Sequence, residues 1–237
     1  MHKVCFSSGN IYDLIESDIS AGKTILSQLK VEGIEWHYGL SLDSRPIIDS
    51  DLIYLKRLKH NSIHSIRSVP KSDDEALALF AKIQEDYNRV NARHIVFHPE
   101  CLPSRKVLNS LDMNFLIENM NGLPFFRSKL GFEEVLKKNP DFDLCLDVAH
   151  AFFWSPRETK RIIQKWRGRI KEVHFSFARK GKDHLTSIDS TKTFIDSVKP
   201  LADLNVPVVI EEFMPKYSKE AINEEVIRVR GLLADLF

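Results

Sequence analysis

The chain alternates between short apolar segments and helix-length amphipathic segments along its 237 residues. A strict alternation of strand and helix is typical of parallel β-α-β units. About eight such units in roughly 250 residues fit a closed (β/α)8 barrel. The sequence therefore predicts an α/β chain whose parallel strands close on themselves. The predicted strands are residues 3–7, 33–37, 62–66, 94–98, 114–118, 143–147, 170–175 and 206–211.

The clearest predicted helix covers residues 73–90, where Ala76, Phe80, Ile83 and Tyr87 recur at helical spacing behind an acidic start. An open doubly wound sheet is the alternative architecture. It is disfavoured because no glycine-rich phosphate loop follows the first predicted strand. No low-complexity linker divides the chain, so we expect one domain over residues 1–237. Further helices are predicted at residues 132–138, 156–166, 192–201 and 219–236.

Composition narrows the class of protein. The hydrophobic fraction of 43% is enough for a sizeable core. No apolar run approaches the roughly 18 residues that a membrane span needs, and no secretory-type segment opens the sequence, so we expect a soluble, cytoplasmic protein. Cys5, Cys101 and Cys145 lie far apart, which predicts packing thiols and neither disulfides nor a thiolate zinc site.

Histidine, aspartate and glutamate, the residue types that commonly bind metals, lie at the ends of successive predicted strands. In a barrel these ends meet at one face, where active sites lie. Glu118 and Asp147 end apolar strands, so their carboxylates need a partner charge or a metal. Glu211 and Glu212 must point to opposite sides of a strand. We assign Glu211 to the barrel mouth and expect Glu212 to meet a basic side chain behind the sheet. The candidate ligands are His64, His98, Glu118, Asp147, His150, His174, His184 and Glu211.

This donor set constrains the metal. Imidazoles and carboxylates without thiolates suit Zn²⁺ or Mn²⁺, with Fe²⁺ and Co²⁺ as further candidates. Eight ligands exceed what one tetrahedral ion uses, so two or three ions are plausible, and the expected range is one to three. His2, His37, His60 and His94 are interpreted as structural or surface residues.

Several motifs resemble the xylose-isomerase-like TIM barrels, a superfamily that includes endonuclease IV and many sugar isomerases and epimerases. They are HIVFHPE, IENM, DVAHAF, VHFS, KDH and VIEE, spread over nearly the whole chain. The DxxHAF form beginning at Asp147 is particularly similar to the endonuclease IV branch. That resemblance implies that the eight candidate ligands hold a multinuclear site. The aspartate expected two residues before His184 is Lys182 here, and Asp183 is the adjacent candidate.

The main hypothesis is therefore metal-dependent hydrolysis of a phosphodiester or phosphoester, with Glu118, His150 and Glu211 as catalytic residues. The alternative is a sugar or sugar-phosphate isomerase or epimerase, which needs one metal on Glu118, Asp147, His174 and Glu211. There the two glutamates would move protons on opposite faces of a ketose. The substrate is expected to be damaged nucleic acid or a phosphorylated sugar. A third hypothesis is a non-catalytic barrel.

A basic segment adds a hypothesis about phosphate. Residues 157–182 contain ten Lys or Arg against two Glu, although the whole chain carries a net charge of +1. Some of these side chains precede the seventh strand and belong to the opposite face of a barrel. The residues expected on the rim of the site, as a phosphate-binding group, are Arg157, Arg179, Lys180 and Lys182.

Overall fold

The computed structural model describes residues 3–39, 42, 46–68, 70–121, 131–179, 182–214 and 218–236. Within them, eight parallel strands close into a barrel in the spatial order β1-β10-β7-β6-β5-β4-β3-β2. The predicted (β/α)8 barrel is confirmed. The barrel strands are β1 (Val4–Ser7), β2 (Gly33–His37), β3 (His60–His64), β4 (His94–Phe97), β5 (Phe115–Glu118), β6 (Asp143–Asp147), β7 (Ile170–Phe175) and β10 (Val208–Ile210). An antiparallel hairpin of β8 (Phe177–Arg179) and β9 (Lys182–Leu185) follows β7.

Strand β3 begins two residues before its predicted start. It comprises His60–His64, with all five residues buried, whereas the prediction was 62–66. Its sequence HNSIH carries few apolar residues, so hydrophobicity did not mark the start. The polarity arises because the inward side chains of β3 lie in a polar barrel interior.

Helices connect the strands, and side-chain caps define several of their starts. Ser72 accepts a hydrogen bond from the Glu75 amide at the start of α4, at 3.2 Å. Ser218 does the same for Ala221 at the start of α10. Such caps satisfy amides that have no partner within the helix. The helices are α1 (Tyr12–Ser17), α2 (Ile19–Ser27), α3 (Asp49–Leu55), α4 (Asp73–Arg89), α5 (Arg105–Leu108), α6 (Gly131–Lys138), α7 (Val148–Trp154), α8 (Glu158–Trp166), α9 (Lys192–Val198) and α10 (Lys219–Asp235).

Apolar packing is concentrated between the strands and the helices. Phe80 of α4 packs on Phe97 of β4 with ring centroids 5.5 Å apart, and Phe97 packs on Phe115 of β5 at 6.0 Å. Phe142 continues the row at 5.2 Å from Phe115. All four rings are buried. This outer layer belongs to the large hydrophobic cluster that encloses the barrel.

The interior of the barrel is different. Its apolar cluster in the described residues consists of Val96, Leu116 and Cys145. Interiors of such barrels are ordinarily filled by bulky aliphatic side chains. Here, His64 and Glu118 are buried on the inner faces of β3 and β5 and approach each other. The interior therefore supplies charged and polar groups for chemistry.

Two expectations from composition bear on the fold. The three cysteines are free and buried, as predicted, and burial raises the pKa of each thiol. Among the described residues, no helix has both the length and the apolar character to cross a membrane.

Candidate metal centre

The carboxyl ends of the barrel strands open into a cavity of about 580 Å³. Its walls carry imidazoles and carboxylates together with a few apolar groups. The lining residues are Gly9, Asn10, Asp13, His37, Gly39, Arg67, His98, Glu118, Met120, Asn121, His150, Asp183, His184, Glu211, Glu212 and Phe213.

Glu118, the last residue of β5, lies at the centre of the histidine cluster. Its Oε2 is 3.3 Å from Nε2 of His64 and 3.3 Å from Nε2 of His98. Its Oε1 is 3.0 Å from Nδ1 of His150. Burial alone would raise the pKa of the Glu118 carboxyl, but hydrogen bonds from these histidines hold it well below its usual range. Glu118 therefore stays ionised although only 1% of it is exposed.

His174, on β7, is held between two carboxylates. Its Nε2 lies 2.9 Å from Oε2 of Glu35, which extends from β2 across the barrel. Its Nδ1 lies 3.0 Å from Oε2 of Glu211, which follows β10. Burial opposes charge on the ring, yet Cys145, Glu35 and Glu211 raise the pKa of His174 well above its ordinary value. A carboxylate on one ring nitrogen fixes the orientation of the other, as is usual for histidines that bind metals.

Asp147 lies at the junction of β6 and α7, where its side chain caps the helix. Its Oδ1 accepts a hydrogen bond from the His150 amide at 2.6 Å and so caps α7. Asn119 fixes its backbone by a pair of hydrogen bonds of 2.8 and 2.9 Å. Burial raises the pKa of the Asp147 carboxyl to about 6, with Glu118 and Glu211 adding to the effect and His150 opposing it.

Three atoms at this site are buried without a hydrogen-bond partner among the described residues. They are Oδ2 of Asp147, Nδ1 of His174 and Oε2 of Glu211. The last two are 3.0 Å apart but lack hydrogen-bond geometry. Buried polar atoms without partners are rare and call for an explanation. A divalent ion is the kind of partner that satisfies buried imidazole and carboxylate atoms, and Oε2 of Glu118 lies 3.9 Å from Nδ1 of His174. The residues present therefore fit such an ion.

The β8–β9 hairpin brings two further groups to the cavity. His184 has a left-handed backbone (φ 50°), and its Nδ1 lies 3.0 Å from the Glu211 carbonyl oxygen. Its ring is 5.4 Å from that of His150. Asp183 accepts a hydrogen bond from Asn121 and lies 3.9 Å from Nε2 of His150. Asp183 thus reaches the site, whereas Lys182 is exposed and does not line the cavity.

No protein-family model and no curated protein sequence matches the chain. Solved structures do match. A xylose isomerase domain containing protein from Salmonella typhimurium superposes with a TM-score of 0.69 and 16% identity over 98% of this chain and 97% of the other. The fold is that of the xylose-isomerase-like TIM barrels.

Two further structures of this kind are similar over nearly their whole length. The probable 3-DHS dehydratase AsbF from Bacillus anthracis has a TM-score of 0.67 and 11% identity over 96% of this chain and 98% of its own. The 3-keto-D-glucoside 4-epimerase YcjR from E. coli has a TM-score of 0.64 and 12% identity over 100% and 99%. At these identities the likeness shows the fold alone.

Two residues of this site were missed from the sequence. His37 lines the cavity and stacks on His64 with ring centroids 4.4 Å apart. It is the last residue of β2, so the strand-end rule that indicated the candidate ligands applied to it as well. Glu35, two residues earlier on the same face of β2, is the carboxylate that holds His174. A glutamate inside an apolar strand was the signal for it.

The expectation for Glu212 was wrong. Glu212 is buried and lines the cavity, and the charged side chain that acts on it is Glu225 of α10, an acid. Burial and Glu225 raise the pKa of the Glu212 carboxyl well above its usual range. The prediction failed because the sequence did not show which face of α10 packs behind β10.

Three of the four basic residues assigned to phosphate lie outside the lining of the cavity. Arg157, Arg179 and Lys182 are exposed and lie outside its lining. Lys180 lies outside the described residues. The described basic side chain that does line the cavity, apart from histidines, is Arg67, which follows β3. The segment rich in Lys and Arg therefore gives little support for a phosphate rim.

Proposed function

We propose that this protein is a divalent-metal-dependent enzyme that isomerises or epimerises a sugar or a sugar derivative. The observation that carries the proposal is the set of unpartnered ligand atoms on Asp147, His174 and Glu211 beside Glu118, at the base of a cavity of about 580 Å³. A cavity of this volume is in the range that takes small molecules. One structural neighbour is named as a sugar epimerase and another as a xylose isomerase domain protein.

Glu118, Asp147, His174 and Glu211 would hold the ion. When bound, such an ion polarises a carbonyl oxygen of the substrate. The pKa values of Glu118 and Glu211 are held well below their usual range by neighbouring histidines, against the effect of burial. Both are therefore ionised at neutral pH, the form that accepts a proton. We assign to them the removal and return of a proton at the carbon beside the carbonyl.

Other cavity residues suit a polyhydroxylated substrate. Asn121 and Asp183, which are hydrogen-bonded to each other, offer amide and carboxylate groups to sugar hydroxyls. Phe213 stands at the rim with 73% of its surface exposed, and Met120 lies in the wall. An exposed aromatic ring beside polar groups suits the apolar C–H face of a sugar.

Hydrolysis of a phosphoester is the second candidate, because the site holds more imidazoles than one ion needs. His64 and His98 both lie 3.3 Å from the same oxygen of Glu118, and His150 lies 3.0 Å from the other. Asp183 stands near His150, where the resemblance to endonuclease IV implies a ligand. A second metal ion on these residues would be required.

The test is proton exchange with solvent. The Mn²⁺-loaded protein is incubated in D₂O with a panel of ketoses, ketose phosphates and keto-glycosides, and deuterium on the substrate is read by NMR. We expect metal-dependent incorporation beside the carbonyl, and none with Asp147→Asn. Abasic-site DNA and a simple phosphodiester are assayed in parallel.

His64→Ala and His98→Ala separate the two candidates. An isomerase should keep its activity within about tenfold in both variants, since the four-ligand set is intact. A hydrolase that needs a second ion should lose several orders of magnitude. A metal-loaded protein that exchanges no proton in the panel and cleaves a phosphodiester would overturn the proposal.

A further inference from the structure

A second group of metal-binding side chains lies inside the barrel, at the end opposite the cavity. His60 and His94 are the first residues of β3 and β4, and Glu172 lies in the first half of β7. Alternation along β3 and β7 places His60 on the same inward face as His64, and Glu172 on that of His174. We call His60, His94 and Glu172 the basal triad.

The three side chains of the basal triad converge. Nε2 of His60 is 2.6 Å from Oε2 of Glu172. The His94 ring lies 5.7 Å from the His60 ring, centroid to centroid. One ligand atom from each residue lies within 4.8 Å of the other two. Around a tetrahedral zinc ion with bonds of about 2.0–2.1 Å, ligand atoms stand roughly 3.3 Å apart. The ligand atoms of the triad are therefore close to this spacing, with the His60–Glu172 pair, at 2.6 Å, shorter than it.

Two atoms of the basal triad lack hydrogen-bond partners among the described residues. They are Nδ1 of His94 and Oε1 of Glu172, both buried. The Glu172 oxygen is 3.8 Å from Nε2 of His174, too far for a hydrogen bond. Leaving such groups buried and unpaired is unfavourable.

We propose that the basal triad binds a divalent first-row ion of the Zn²⁺ type, separate from the ion at the C-terminal mouth. Two imidazoles and a carboxylate make a three-ligand site, and water entering beside His94 supplies the fourth position. Strand β7 lies across the barrel from β3 and β4, with β5 and β6 between them in the sheet. An ion here would therefore join opposite walls of the barrel. The N-terminal face of such barrels usually contributes to stability, so we expect the ion to stabilise the fold.

The direct test is anomalous diffraction from crystals of the full chain soaked in ZnCl₂. We expect two zinc peaks in the wild type. The upper peak lies at the C-terminal mouth, and the lower peak lies at the basal triad. Asp147→Asn should remove the upper peak and keep the lower one. His94→Ala should remove the lower peak and keep the upper one. No lower peak in the wild type, or a lower peak that persists in His94→Ala, would overturn the proposal.

A solution experiment covers the case in which one variant crystallises poorly. In the Asp147→Asn protein, Zn²⁺ should raise the melting temperature by several degrees through the basal triad. Adding His94→Ala should abolish this rise, while circular dichroism at low temperature checks that the protein is folded. The matched control is Arg93→Ala, which removes the neighbouring exposed charge but no ligand and should keep the rise. Equal shifts with and without His94 would contradict the proposal, whatever the fate of the proposed isomerase activity.

Discussion

The two faces of the barrel wall differ in chemistry although they are built from the same strands. On the outer face, Phe97, Ile117 and Leu146 are fully buried in the apolar layer beneath the helices. Their immediate successors in sequence, His98, Glu118 and Asp147, surround the cavity or lie beneath it. Because successive side chains of a strand point to opposite faces, one residue separates packing from chemistry. The apolar layer provides stability, which allows the interior to hold groups that are costly to bury.

The same alternation fixes the register. A shift of one residue in β5, for example, would move Glu118 into the apolar layer and Ile117 towards the cavity. The contrast between the two faces can therefore be tested with pairs of variants, one on each face.

The largest effect is expected for Glu118→Gln on the inner face. Replacing the carboxylate removes a metal ligand and a proton acceptor while preserving the shape of the side chain. Turnover, measured as solvent deuterium exchange into the substrate, should fall about 10⁴-fold, roughly 5 kcal/mol in the barrier. If turnover of a folded variant falls by less than tenfold, Glu118 is not a catalytic residue.

Phe80→Ala tests the outer face. The ring is fully buried against Phe97. Removing it should lower the free energy of unfolding by about 4 kcal/mol, since a large cavity remains. Chemical denaturation measures this, and kcat/KM below the melting range should stay within about twofold of the wild type. A large loss of activity in the folded variant would show that the two faces are not separable.

Asp147→Asn should make the metal-free protein more stable. The folded-state pKa of Asp147 is raised to about 6, so in the wild type the carboxyl favours the folded state below roughly pH 4 and loses that contribution as pH rises through 6. Asparagine can keep the cap on α7 and carries no buried charge. The free energy of unfolding of the variant should therefore rise relative to that of the wild type between pH 4 and 6, by up to about 3 kcal/mol.

Urea denaturation in the presence of a chelator, at several pH values, measures this gain for Asp147→Asn. Adding Mn²⁺ should reverse the order of stability, since the wild type would bind the ion and the variant would not. A variant less stable than the wild type at pH 8 without metal would show that the charge of Asp147 is compensated by other residues.

The smallest effect concerns Glu133 on α6. It pairs with Arg161 and Lys165 of α8, in the helical layer around the barrel. Burial opposes ionisation, but these partners lower the pKa of Glu133. A lowered pKa contributes stability above the unfolded-state value, near pH 4.3, and loses it as pH falls through the folded value.

Glu133→Gln should therefore lower the free energy of unfolding by about 1 kcal/mol at pH 7, because both basic partners are partly exposed and regain water. The difference from the wild type should vanish in acid, as measured by denaturation at pH 7 and pH 3. Turnover at neutral pH should be unchanged, and a difference in stability that persists at pH 3 would point to packing instead of charge.

What the sequence could predict follows from the same alternation. Glu118 and Asp147 stood out because acids rarely end apolar strands, and each is indeed buried at a strand end. Polar strands gave no such contrast, so the start of β3 and the position of His37 were missed. Contacts between residues that are far apart in the sequence could not be predicted from the alternation either. Glu35 meets His174 across the barrel, and Glu225 reaches Glu212 from α10.

The central claim is that Glu118, Asp147, His174 and Glu211 hold one divalent ion at the C-terminal mouth. Titration with Mn²⁺, followed by the EPR signal of the free ion, tests it in the His94→Ala background, which lacks the basal triad. We predict one tight site per chain, lost in Asp147→Asn and kept in His64→Ala. A protein that binds no Mn²⁺, or binds it equally well with Asp147→Asn, would contradict the account.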